Sequence, residues 1–147
     1  MEALSSTAPS LRSEELALGL IERVIAALTG DRQTPSAPTG REASRVVEAI
    51  RLVESDAARP LELKEMAAVA GMSKYHFLRV FRGLTGMTPH RYLISARLRR
   101  AALALASSRR RVIAIAVDAG FGDLSTFNKT FRAVFGLTPT QYRDLRR

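Results

Sequence analysis

The sequence predicts an all-α fold: two helix-turn-helix subdomains joined by a long linker helix, preceded by an amphipathic helix and a flexible linker. Three observations predict it. Apolar residues recur at three- and four-residue spacing along most of the chain. Two stretches match each other at an offset of 50 residues. Gly, Pro and small polar residues fall at the ends of the periodic segments.

The elements follow in order. Residues 1–10 read as a disordered start. Between Ser13 and Leu28 the apolar positions Leu16, Leu20, Ile21, Val24, Ile25 and Leu28 make an amphipathic helix, with Glu14 and Glu15 at its positive N-terminal end. Thr29–Gly40 (TGDRQTPSAPTG) is rich in Pro, Gly, Ser and Thr and reads as a flexible linker. Ala43, Val46, Val47, Ile50 and Val53 predict a helix over 41–56, and Pro60 marks the break after it. Shorter helices are expected over 62–70, 74–85, 112–119, 124–135 and 138–146, with a long one over 88–106. By composition alone Val112–Val117 (VIAIAV) also suits a short buried strand; the repeat argues for a helix.

In that repeat, Phe77, Phe81, Arg82, Gly86, Thr88, Pro89 and Tyr92 recur as Phe127, Phe131, Arg132, Gly136, Thr138, Pro139 and Tyr142. Upstream the offset is 49, because Ala67, Ala70 and Gly71 match Ala116, Ala119 and Gly120. The second copy thus has one extra residue in the turn after its glycine. Each copy has the parts of a helix-turn-helix: a short helix ending at a Gly, a polar cap (Ser73 or Asp123), and a second helix. That second helix is expected to bury Phe77, Val80, Phe81 and Leu84, or Phe127, Thr130, Phe131 and Val134. Thr-Pro then opens the following helix. The opposite face presents Tyr75, Leu78, Arg79 and Arg82 in the first copy, and Ser125, Asn128, Lys129 and Arg132 in the second. The last two of these four positions are cationic both times, and the first two differ. At 1.5 Å per residue the linker helix would be roughly 28 Å long, suited to holding two recognition helices about one DNA turn, ~34 Å, apart.

Charge points the same way. The chain has 147 residues, 23 Lys and Arg against 14 Asp and Glu, and a net charge of +9. Residues 1–40 balance to −2 and residues 41–72 to −1, whereas residues 73–147 carry 15 bases against three acids, or +12. Such a segment fits a polyanionic partner. There is no Cys, which excludes disulfides, thiolate nucleophiles and Cys-based zinc sites. The two His residues are 14 positions apart, and no cofactor or metal is expected. No apolar run approaches the ~20 residues of a membrane span. A hydrolase needs an acid–base or nucleophile cluster, and the three acids of residues 73–147 have no His partner by spacing. The chain is therefore expected not to be an enzyme, and to reside in the cytoplasm, at the nucleoid when bound.

The second copy, IAIAVDAGFGDLSTFNKTFRAVFGLTPTQYR over Ile113–Arg143, resembles the AraC/XylS family of bacterial transcription regulators. The first copy, AAVAGMSKYHFLRVFRGLTGMTPHRYL over Ala67–Leu93, and the linker segment YLISARLRRA over Tyr92–Ala101 are similar to it too. The resemblance covers residues 41–147 and implies a DNA-binding domain whose first helix-turn-helix spans 62–85 and whose second spans 112–135. It implies a sequence-specific binder of promoter or operator DNA, an activator that touches RNA polymerase, with one recognition helix in each of two successive major-groove segments. Carried over position by position, base-contacting candidates are Tyr75, Leu78, Arg79, Ser125, Thr126, Asn128 and Lys129. Phosphate-contacting candidates are Ser73, Lys74, Arg82, Thr88, Arg132 and nearby helix-start amides. Most members carry a larger sensory domain first. Residues 1–40 look like the tail of one and are too short for a ligand-binding β-barrel. The expected state is a monomer, or a weak dimer through residues 13–28.

Plainer readings stand beside these. Arg79 and Lys129 also suit solvated surface positions. Leu78 suits either a thymine-methyl reader or a core residue at the rim, and Tyr75 either base contact or packing. His76 and His90 read as surface or packing residues, and Arg109–Arg111 as a solvated run or a phosphate clamp. Leu98, Ala101, Leu103 and Leu105 read as core. A non-specific DNA-binding module and, more weakly, a basic amphipathic membrane binder are the competing functions.

Overall fold

The structure is a computed structural model that describes residues 11–29 and 37–146. Among these residues there are eight helices and no strand: α1 (Leu11–Thr29), α2 (Gly40–Asp56), α3 (Leu63–Val69), α4 (Lys74–Thr85), α5 (Pro89–Ser107), α6 (Val112–Asp118), α7 (Leu124–Phe135) and α8 (Pro139–Leu145). VIAIAV is thus helical, as the repeat requires. The expected disordered start and most of the Pro/Gly-rich linker lie outside the described residues. No described helix is long and apolar enough to cross a membrane.

The chain forms two compact units, one from residues up to Ile50 and Leu61–His90, the other from Arg51–Pro60 and Arg91 onward. Their boundaries fall inside α2 and α5. In the first unit Val46 and Ala49 of α2, Leu63, Met66 and Ala67 of α3, and Phe77, Val80 and Phe81 of α4 form the core. The Phe77 and Phe81 rings lie 5.4 Å apart. α1, which the composition sets apart, belongs to this unit and buries Leu11.

The second unit packs Leu98, Ala101, Ala102 and Leu105 of α5 against Ile115, Ala116, Phe121, Phe127 and Phe131. Leu103 departs from the expected core and is 71% exposed. At about 100° per residue, it points away from the stripe that 98, 101, 102 and 105 share. Leu84 and Val134 also depart from expectation, with 40% and 61% exposure. Both occupy the last turn of their helices, where the stripe runs past the edge of the core. Arg97 is half-buried; its Nε donates to the Ala57 carbonyl at 2.7 Å and its Nη2 to the Arg59 carbonyl at 3.1 Å, and burial lowers its pKa.

α2 starts with a capping box. The Glu42 N–H donates to the Thr39 hydroxyl at 3.3 Å, and the Glu42 carboxylate accepts from the Thr39 N–H at 2.9 Å. That backbone bond, with the His76 ring 2.7 Å away and the Thr39 hydroxyl, holds the Glu42 pKa at about 2, below its ordinary 4.5. A depressed carboxylate contributes stability above its unfolded value and loses it as pH falls through its folded value. Helical circular dichroism should therefore fall as pH drops from 4.5 towards 2, with a smaller fall in that window for Glu42→Gln. Identical acid titrations would show that the box adds nothing.

Candidate nucleic-acid interface

Each half of the repeat builds its turn from the same hydrogen bonds. After α3, the Gly71 N–H donates to the Ala68 carbonyl at 3.0 Å and the Met72 N–H to the Ala67 carbonyl at 2.9 Å. After α6, the Gly120 N–H donates to the Val117 carbonyl at 2.9 Å and the Phe121 N–H to the Ala116 carbonyl at 3.0 Å. Both are Schellman endings, and they need a residue at positive φ, here +62° at Gly71 and +99° at Gly120. Ser73 then caps α4 by accepting from the His76 N–H at 3.2 Å, and Asp123 caps α7 by accepting from the Thr126 N–H at 2.7 Å. The latter bond holds the Asp123 carboxyl below its ordinary pKa. Gly86 and Gly136 close α4 and α7, both at φ 72°, each donating its N–H to the Arg one turn back.

With the two motifs so alike, their outward faces can be compared position by position. On α7 the predicted residues Ser125, Thr126, Asn128, Lys129 and Arg132 are all exposed. Thr126 also donates its hydroxyl to Asp123 at 2.8 Å. On α4, Tyr75, Arg79 and Arg82 are exposed. Leu78 does not share their face. It is 1% exposed and sits in the core of the first unit. Of its two readings the structure has the core one, because Leu78 lies about 100° round the helix from Phe77, at the border of the buried stripe. Its counterpart Asn128 is exposed.

Lys74 is half-buried and its Nζ lies 2.8 Å from Glu14 Oε1 on α1. Ser73 spends its side chain on the α4 cap. Thr88, ahead of α5, is a side-chain hydrogen-bond partner of Glu15. The contacts of Glu14 and Glu15, and that of His76 with Glu42, went unread in the sequence. Their only signal was the negative balance of residues 1–40 and 41–72. In the Arg109–Arg111 run, Arg110 pairs with Asp118. Among the described residues no group of three or more His, Asp or Glu could hold a metal ion.

Residues 66–145 match a family model described as a helix-turn-helix domain. The chain is 34% identical over 94 residues to the regulatory protein SoxS of Salmonella typhimurium, spanning 64% of this chain and 88% of that one. It spans only 27% and 32% of the length of two other curated relatives. Among solved structures it is similar to a transcriptional regulator from Chromobacterium violaceum described by its AraC-type DNA-binding domain, with TM-score 0.68, 28% identity, and 74% and 96% of the two chains covered. The DNA-binding domain of the global transcriptional factor AdpA, solved with a target DNA, matches with TM-score 0.66 and 30% identity over 70% and 93% of the chains. The family model covers more than half of the chain, and the fold is similar to that of these domains: the chain belongs to the AraC-type family of helix-turn-helix proteins.

Proposed function

We propose that this chain is a sequence-specific binder of duplex DNA that regulates transcription, as an activator, by placing α4 and α7 in successive major-groove segments. One observation carries the reading. Two helices with matching caps and glycine endings expose cationic positions 50 residues apart, Arg79 and Arg82 on one and Lys129 and Arg132 on the other. The similarity to a domain solved on its target DNA supports it. Tyr75, Arg79, Ser125, Thr126, Asn128 and Lys129 take the base edges. Arg can grip guanine O6 and N7 with two bonds, and Asn can do the same to adenine N6 and N7. Ser73, Lys74, Arg82, Thr88 and Arg132 take phosphates, with the helix-start amides beside them. RNA polymerase is the proposed protein partner. Weak dimerisation through residues 13–28 has support in the exposure of Leu16, Leu20, Ile21, Val24 and Leu28.

The test is selection of bound sites from random duplex, followed by titrations on the selected site and on scrambled DNA. No preference for any site would sink the reading. Arg79→Ala should cost about 1–3 kcal/mol on the selected site and relax the preference at one base pair. Arg132→Ala should weaken all sequences alike and reduce the salt slope by about one. Uniform losses in both variants would show that the division between base and phosphate contacts is wrong.

A further inference from the structure

The first unit differs from the second in what lies on its proposed phosphate positions. Glu14 Oε1 is 2.8 Å from the Lys74 ammonium at the start of α4. The neighbouring Glu15 accepts from the His90 backbone N–H at the start of α5, at 2.6 Å. Thr88 donates its hydroxyl to the same carboxylate, and the charge of Arg82 acts on it. Two adjacent carboxylates of α1 thus engage three of the four side chains proposed to hold phosphates in this half, together with a helix-start amide. A carboxylate at these points satisfies the donors and positive charge that a phosphate would.

We infer that Glu14 and Glu15, near the start of α1, occupy the phosphate-binding positions of the first helix-turn-helix, so that α1 and DNA compete for the same surface. The inference rests on the DNA-binding reading above. The second copy supplies an internal comparison. At its α8 start, Gln141 turns its side chain back to accept from the Thr138 N–H at 3.0 Å, and Thr138 accepts from the Gln141 N–H at 3.2 Å. The matching residue, in the first turn of α5, is Arg91, a donor that cannot close such a box. There Glu15 of α1 accepts instead from the His90 N–H and the Thr88 hydroxyl. Lys74 is likewise replaced by Leu124 in the second copy, and the buried Leu78 by the exposed Asn128. Of these positions, Lys74 is the one whose side chain Glu14 of α1 contacts. Leu78 lies one turn from both Lys74 and Arg82 on a single side of α4. Burial raises the Glu15 pKa against the opposing pull of His90, Thr88 and Arg82, as expected of a half-buried carboxylate.

Competition predicts that removing the carboxylates strengthens DNA binding, and that DNA loosens α1. The experiment compares the wild-type chain, Glu14→Gln/Glu15→Gln, and a control of equal charge change in the same unit, Glu48→Gln/Glu62→Gln. Each is titrated by fluorescence anisotropy on the selected duplex. Hydrogen exchange of α1 and of the His90 amide is followed with and without that duplex. The Glu14/Glu15 variant should bind at least about fivefold tighter than the control, the lower end of usual coupling between two ligands. In the wild type, DNA should speed exchange along α1. Equal affinities of variant and control, with site preference intact, would overturn the competition and leave the DNA reading standing. Unchanged α1 exchange on saturation with DNA would do the same. Absence of site preference in all three proteins would overturn both.

Discussion

Replacing Gly120 by alanine is expected to destabilise the second unit by about 3 kcal/mol or more, against about 1–2 kcal/mol for Gly71→Ala at the matching turn of the first. Both glycines have positive φ, so both substitutions carry the strain of an L side chain in that region. Space separates them. A Cβ on Gly71 meets nothing within 4 Å. One on Gly120 would lie 2.8 Å from the Ala58 carbonyl, 2.8 Å from Arg97 Nε and 3.0 Å from the Ala57 carbonyl. The Arg97 side chain cannot swing aside freely, because that same Nε donates to Ala57. The new methyl must push the 57–58 backbone away or break the bond that holds it. With total stabilities of about 5–15 kcal/mol for ordinary domains, a loss of this size shows clearly in a urea midpoint. Equal midpoint shifts in the two variants would mean that the approach of residues 57–58 to Gly120 does not exist in solution.

Phe131→Ala is expected to cost about 3–5 kcal/mol, the usual range for a buried aromatic truncated to a methyl. Phe131 is fully buried, and its ring centroid lies 5.5 Å from Phe127, 4.4 Å from Phe135 and 5.4 Å from Tyr142. It joins α7 both to the core and to α8, so the cavity would loosen both contacts. Phe81→Ala, its match in the first unit and equally buried, should cost a similar amount. Phe135→Ala should cost less, since that ring is only partly buried. Thermal melts followed by circular dichroism would rank the three. A Phe131 variant no less stable than the Phe135 variant would contradict this account of the core.

Much of this architecture was legible because it rests on local rules. Apolar spacing placed every described helix to within two residues. The caps at Ser73, Asp123 and Thr138 followed from residue type and position, and the fixed offset removed the ambiguity of VIAIAV. The Thr39–Glu42 box was equally readable, as a Thr three residues before a Glu, but its Thr lay inside the stretch read as linker. The illegible parts depend on distant partners. Lys74 and Glu14 are 60 residues apart, and His90 and Glu15 are 75 apart; no periodicity marks such pairs. Leu78 illustrates the same limit within one helix. Its angular position at the border of the stripe allowed either face, and tertiary packing decided it. On α7 the same position holds a polar Asn, and there the sequence alone places it outside.

The ring cluster around Phe131 also determines how this protein can be observed. The chain has no Trp and three Tyr, so tyrosine emission is not swamped by indole. Tyr142 is set edge-on to Phe131 and lies 5.3 Å from Phe135, an asymmetric setting that should give it a near-ultraviolet dichroic signal of its own. Tyr75 stands 40% exposed on α4 instead, open to quenching by whatever covers that face. Tyr92 donates its hydroxyl to Glu54 at 2.9 Å. Each tyrosine has a different environment, and the loss of the Tyr142 band on heating would time the disassembly of the second unit without any added label.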